Sequence, residues 1–278
     1  MGLLAGFCVV ATASCSSDGE SAAAQPPSSS AAPSSASGPG TYLALGDSLP
    51  FGSRNASPVE YADDTNFAGY PELIGAQLGL EVLNASCPGE TTSSFLDADA
   101  RRNGCPYRAG FPLHVTYESR DQSQFEFALA SLTGNEDVEL VTVQLGANDA
   151  FACQRSTPSR CTDAADLEAL GQTVQGNLDA VLKALREQYD GQIVVVTYYA
   201  LDYDDAFGAA TGVLDTGIAE IAAANGADVA DGYEAFRPRA TEAGGDSVAA
   251  GLVLPNDVHA TDEGQRLLAE AVLAVVQG

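Results

Sequence analysis

The sequence predicts an α/β protein, a three-layer α/β/α sandwich on a mostly parallel five-stranded sheet. Three observations carry this expectation. From residue 41 onward, short apolar runs alternate with longer stretches of helical periodicity, the pattern of a parallel sheet covered on both faces. The run 140–145 is nearly continuously apolar, as a strand buried on both faces requires. The chain has 278 residues, 45% of them apolar, enough for one sizeable α/β core and too few for two.

Taken in order, residues 1–14 are an apolar run closing on small residues. The run is too short to span a bilayer as a mature helix but suits the apolar part of a secretory signal. Thr12-Ala13-Ser14-Cys15 resembles a bacterial lipobox, whose cysteine is lipidated and becomes the mature N-terminus. Thr12 stands where a large aliphatic residue is usual, and no Lys or Arg precedes the run, so cleavage and release is the other reading. Residues 15–40 are then the lipidated cysteine and a Ser/Ala/Pro tether, too poor in large apolar side chains to pack. Such a chain holds a domain about 25–30 Å from its anchor. The expected location is the cell membrane, as a lipoprotein, or the exterior.

The folded domain is expected over 41–278. Strands are predicted at 42–45, 81–85, 140–145, 193–198 and 228–230, and helices at 67–80, 165–188, 212–225 and 263–276. The long helix is read from Leu167, Leu170, Val174, Leu178, Val181, Leu182 and Leu185, spaced by three and four. The stretch 87–135 is rich in turns and reads as an elaborated connection, with part of 118–132 helical.

Net charge is −26, from 38 acidic against 12 basic residues. Such a surface repels phosphate backbones and anionic headgroups, so nucleic acid is excluded as a partner, and a membrane is met only through the N-terminal lipid. Cysteines 87, 105, 153 and 161 permit three disulfide pairings in an exported chain. The expected one, Cys87–Cys105 and Cys153–Cys161, joins sequence neighbours. No C-x-x-C occurs and there are two histidines, so a zinc site is not expected.

Four blocks carry the chemistry. The first strand runs into Gly46-Asp47-Ser48-Leu49, and the second into Asn84-Ala85-Ser86-Cys87-Pro88-Gly89-Glu90-Thr91-Thr92. The third precedes Gly146-Ala147-Asn148-Asp149, and Asp257-Val258-His259 stands just before the last helix. Singly, each has a plainer reading: Ser48 and Asn148 as caps, Gly89 as a turn, His259 as a surface histidine, as His114 is read. A nucleophile elbow, G-x-S-x-G, is ruled out by Pro50. Three of the blocks follow predicted strands, so Ser48, Gly89 and Asn148 can meet on one rim of the sheet.

In this order the blocks resemble those of the SGNH (GDSL-type) hydrolase family over 41–278. The resemblance implies a flavodoxin-like SGNH hydrolase fold and a serine ester hydrolase without metal or organic cofactor. Ser48 matches the nucleophile and His259 its base, while the Ser48 and Gly89 N–H groups and the Asn148 amide match the oxyanion hole. The family usually places an aspartate three residues before the histidine, where this chain has Asn256. Asp257, a backbone carbonyl and the Asn256 amide are the three candidates to orient His259, with Asp257 first. The family includes lipases, carbohydrate esterases and thioesterases, so the expected partner is a small-molecule, lipid or carbohydrate ester and the expected state a monomer. No long apolar lid is visible, which favours short acyl groups. The rival readings are an inactive cell-surface binding protein on the same fold and a cofactor binder, which would need a phosphate-binding glycine loop absent here.

Overall fold

Strands β1 (Thr41–Gly46), β2 (Glu81–Asn84), β3 (Val138–Gln144), β4 (Gln192–Val196) and β5 (Asp228–Ala230) form one sheet in the order β2-β1-β3-β4-β5. Every pairing is parallel, with Leu43 opposite both Leu83 and Val141, Val141 opposite Ile193, and Val195 opposite Val229. The computed structural model describes residues 39–100, 105 and 107–276. The expected signal segment, Cys15 and nearly all of the tether lie outside the described residues.

Strand β3 is buried at every position but Glu139, as the central strand of a doubly covered sheet must be. Its Thr142 is accommodated by a buried 2.7 Å hydrogen bond with the Tyr42 hydroxyl of β1, which satisfies both polar atoms. Helices α3 (Tyr70–Leu78), α9 (Gly232–Glu242) and α10 (Asp262–Val276) pack on one face. Helices α4 (Thr92–Leu96), α5 (Gln124–Gly134), α6 (Ala147–Ser156), α7 (Ala164–Gln188) and α8 (Ala206–Ala224) cover the other. Two further short helices, α1 (Ser48–Phe51) and α2 (Pro58–Tyr61), precede α3. Of the apolar stripe of α7 read from the sequence, Val174, Leu178, Val181, Leu182 and Leu185 are buried, while Leu170 is half-buried and Leu167 is exposed.

Several boundaries differ from expectation, each for a local reason. Helix α3 begins at Tyr70 rather than 67, because Phe67 is extended and Glu72 reaches back to the Gly69 N–H at 2.7 Å. Helix α8 begins at Ala206, six residues before the predicted start, where the Asp205 carboxylate caps the Gly208 N–H at 2.6 Å. The helix within 118–132 is set by a Ser123/Glu126 capping box and runs to Gly134. Helices α6 and α9 were not predicted; α6 buries only Asp149, and Pro238 interrupts the helical pattern of α9.

The strand order reverses direction between β1 and β3: the chain leaves β1 toward β2 and later returns to β3 on the other side. Ligands of open parallel sheets bind at such a switch point, beyond the carboxyl ends of the strands. Ser48 follows β1 by two residues and Asn148 follows β3 by four.

Candidate active site

Strand β1 ends at Gly46, whose φ is +145°; a Cβ there would lie 2.4 Å from the Gln144 carbonyl oxygen at the end of β3. Glycine is required for the two strand ends to approach. Asp47 then caps α1, its Oδ1 accepting from the Leu49 N–H at 3.0 Å. Its Oδ2 accepts from the Tyr198 hydroxyl at 2.7 Å and from Asn148 Nδ2 at 3.5 Å. Burial pushes the Asp47 carboxyl up to about 7; the Leu49 and Tyr198 bonds oppose the rise, and Asp149 and Glu90 add to it. Asp47, immediately before Ser48, thus ties the start of α1 to the start of α6.

Gly89 turns with φ +89° after Pro88. Its loop is fixed from two sides. Cys87 and Cys105 lie at disulfide distance, their Cα atoms 5.6 Å apart. The Asp149 carboxylate accepts from Thr92 N–H at 2.9 Å and Thr92 Oγ1 at 2.7 Å, linking the Gly89 loop to the helix that carries Asn148. Burial raises the Asp149 carboxyl and the Thr92 bonds oppose it. Cys153 and Cys161 form the second such pair, with Cα atoms 5.4 Å apart. Cys87, Glu90 and Cys105 also cluster as metal-ligating residue types, but the two sulfurs there face each other at bonding distance.

The third part is the loop before α10. His259 Nδ1 lies 2.6 Å from Asp257 Oδ1, and the two side chains are 19% and 5% exposed. Asp257 Oδ2 accepts from the Asn55 N–H at 2.9 Å. Burial disfavours the Asp257 charge, yet hydrogen bonds from Asn55 and Val258 N–H and the adjacent His259 together hold its carboxyl below the usual range. Tyr199 Oη donates to the Val258 carbonyl at 2.7 Å, pinning the loop to the end of β4. Of the three candidate orienters, Asp257 is the one bonded to the ring. Asn256 takes the left-handed conformation, φ +59°, and its carbonyl accepts from Asn55 Nδ2 at 3.4 Å.

Ser48, Gly89, Asn148 and His259 line one cavity of about 560 Å³, walled by aromatic and aliphatic side chains including Tyr61, Phe111, Phe151 and Phe207. Among the described residues, no protein acceptor is bonded to the Ser48 or Gly89 N–H. No hydrogen bond joins Ser48 Oγ to His259, a looseness common where contacts tighten only around substrate. His114, read from the sequence as a surface histidine, is instead a packing residue. Its Nε2 lies 3.1 Å from the Phe51 carbonyl oxygen, its ring 4.5 Å from the Phe51 ring, and its side chain is 14% exposed. Asp47, Asn55, Tyr198 and Tyr199 were given no role from the sequence. For Asp47 alone a local signal existed, an Asp directly before a helix start.

A five-stranded parallel sheet with backbone donors and a His–Asp pair beyond its strand ends is an arrangement suited to acyl transfer. A family model described as GDSL-like lipase/acylhydrolase matches residues 44–267; the chain belongs to this family and is an ester hydrolase. Among solved structures, it is similar to phospholipase A1 from Streptomyces albidoflavus NA297, at 21% identity and TM-score 0.54, over 85% of this chain and 99% of that one. An extracellular lipase from Streptomyces rimosus aligns at 22% identity and TM-score 0.54, over 84% and 99%. An acetylxylan esterase from Geobacillus stearothermophilus aligns at 16% and 0.56, over 84% and 93%. At these identities the structural likeness shows the fold. No curated protein matches the chain in sequence.

Proposed function

We propose that the chain hydrolyses carboxylic esters through an acyl-enzyme on Ser48. The observation that carries this is the convergence of Ser48, Gly89, Asn148 and His259 on one cavity, with Asp257 bonded to the His259 ring behind it. His259 Nδ1 is engaged by Asp257, which leaves Nε2 to take the Ser48 proton as Oγ bonds to the ester carbonyl carbon. The carbonyl oxygen becomes an oxyanion, met by the Ser48 and Gly89 N–H groups and the Asn148 amide, whose Nδ2 is partly held by Asp47. Collapse breaks the bond to the alcohol oxygen, and the imidazolium gives that oxygen the proton. Water, deprotonated by the same histidine, then attacks the acyl carbon, releases the acid and restores Ser48.

The test is labelling with a fluorophosphonate together with a panel of esters. Wild-type protein should be labelled and should turn over at least one ester, and Ser48→Ala and His259→Ala should do neither while remaining folded. Near wild-type kcat in either variant would end the proposal, and an unlabelled wild-type protein would favour a binding role.

Export belongs to the same reading. Four cysteines at disulfide distance suit an oxidising compartment, and 1–14 followed by Cys15 supplies the signal and lipid-attachment pattern. Incorporation of labelled palmitate in a bacterial host, lost in Cys15→Ser, tests the anchor; recovery of an unlabelled wild-type chain in the medium supports release instead.

A further inference from the structure

Beyond Phe207 a second cavity of about 420 Å³ adjoins the active-site cavity; Ala150, Phe207, Thr211 and Leu214 line both. The second cavity lies between α7 and α8, and its remaining walls include Leu167, Leu170, Ala210 and Val213. Val213 is 74% and Leu167 37% exposed, two large aliphatic side chains left facing solvent at the edges of the same groove. Single exposed apolar residues need no explanation, but paired ones flanking a cavity mark a surface that something apolar covers. Each cavity is by itself of ligand-binding size. The shared wall carries no charge, and Glu168, at the rim, is the one ionisable group lining the second cavity. Its polar partners are the Gln154, Gln172 and Gln175 amides and, on the shared wall, the Thr211 hydroxyl, and the rest of the lining is mostly apolar.

We infer that the acyl group of the substrate is a long linear aliphatic chain, running from Ser48 past Phe207 and Leu214 into the second cavity. The inference rests on the ester-hydrolase reading of the first cavity and names its substrate class. It departs from the short-acyl expectation, because the apolar surface is assembled from α6, α7 and α8 and not from a contiguous lid segment that a sequence could display. An acetyl group would touch only the part beside Ser48. Each methylene buried further along should raise kcat/KM by up to about fourfold.

The experiment measures kcat/KM for p-nitrophenyl acetate, butanoate, octanoate, dodecanoate and hexadecanoate below their micellar concentrations. The variants are Ala210→Phe, which fills the outer cavity, and Val213→Asp, which places a charge on its edge. A second arm titrates 1-butanol and 1-decanol calorimetrically into the Ser48→Ala protein. Wild type should favour dodecanoate over butanoate by about tenfold or more, and both variants should bring that ratio toward unity. Decanol should bind more tightly than butanol with a negative heat-capacity change, and Ala210→Phe should weaken it. A wild-type maximum at acetate or butanoate, or a ratio untouched by both variants, overturns the inference. Chain-length-dependent alcohol binding without turnover of any ester leaves the groove standing and removes the hydrolase reading. Turnover with no chain-length preference in either arm does the reverse.

Discussion

His259 divides its two ring nitrogens between a fixed partner and the cavity, and the fixed partner decides how well it serves as a base. Asp257 is itself held on both sides, by the ring at 2.6 Å and the Asn55 N–H at 2.9 Å. An amide at 257 could keep the contact while selecting the wrong tautomer. Asp257→Asn should therefore lower kcat by roughly three to four orders of magnitude, as for loss of a triad acid, with KM little changed; steady-state kinetics on one good ester reads this directly. Asn256 acts through the backbone alone: its left-handed φ suits Asn or Gly. Asn256→Gly should leave kcat within a factor of about three, whereas Asn256→Ala should cost roughly 1–2 kcal/mol of stability with kcat retained. If the Asn256 variants are the crippled ones and Asp257→Asn is mild, the assignment is reversed. The left-handed turn also explains why spacing could not choose between the two. It rotates the loop so that the residue two before the histidine meets the ring, and backbone handedness at a single asparagine is not written in an apolar pattern. Ser48, Gly89 and Asn148 could be placed on one rim because each follows a strand, but their roles were read from the ordered blocks that resemble the family.

Strands declared themselves more clearly than helices in this chain. All five are near their predicted positions; β1, β3 and β4 are buried nearly throughout and leave dense apolar runs, while the edge strands β2 and β5 are shorter and only partly buried. Helix α7 was equally plain, having one buried stripe. Helix α6 was invisible because it is held by what its ends do, not by what a face buries: Asp149 reaches Thr92, and Cys153 meets Cys161 beyond its C-terminus. Such an element depends on its ties. If both cysteine pairs are oxidised, the loops closed span sequence separations of 18 and 8 residues, for which chain entropy gives about 2–3 kcal/mol each. The double variant Cys87→Ser/Cys105→Ser should lose about that much stability in urea unfolding. It should also lower kcat, because Gly89 stands two residues from one sulfur. Peptide mapping without reduction should recover the two neighbouring pairs; free thiols at these positions, or a variant as stable as wild type, would contradict the expectation.

Taken together, the buried carboxyls set how the protein responds to pH. Asp47, Glu90, Asp149 and Asp215 are all raised by burial, only partly relieved by their hydrogen bonds. In the folded state each keeps a proton that the unfolded chain releases from about pH 4 upward. Stability therefore falls as pH rises from there through the raised value, and stays lost above it. Asp257 works the other way: held below its usual range, it contributes stability above about pH 4 that is lost on further acidification. For Asp47, moving from an ordinary 3.8 to about 7 corresponds to roughly 4 kcal/mol at most. The surplus of 38 acidic over 12 basic residues adds self-repulsion of the same sign as pH rises, and added salt relieves that part alone. Stability should accordingly be greatest at mildly acidic pH and lower at pH 8. Asp47→Asn keeps a neutral group of the same shape beside Tyr198 and Asn148, so its stability should vary less between pH 5 and 8, and at pH 8 it should be at least as stable as wild type. Urea unfolding of both proteins at the two pH values, at low and high salt, decides it. A wild-type protein no less stable at pH 8 than at pH 5, or an Asp47→Asn protein with the same pH dependence as wild type, would mean that Asp47 is charged in the fold and that the contacts from Leu49 and Tyr198 outweigh its burial.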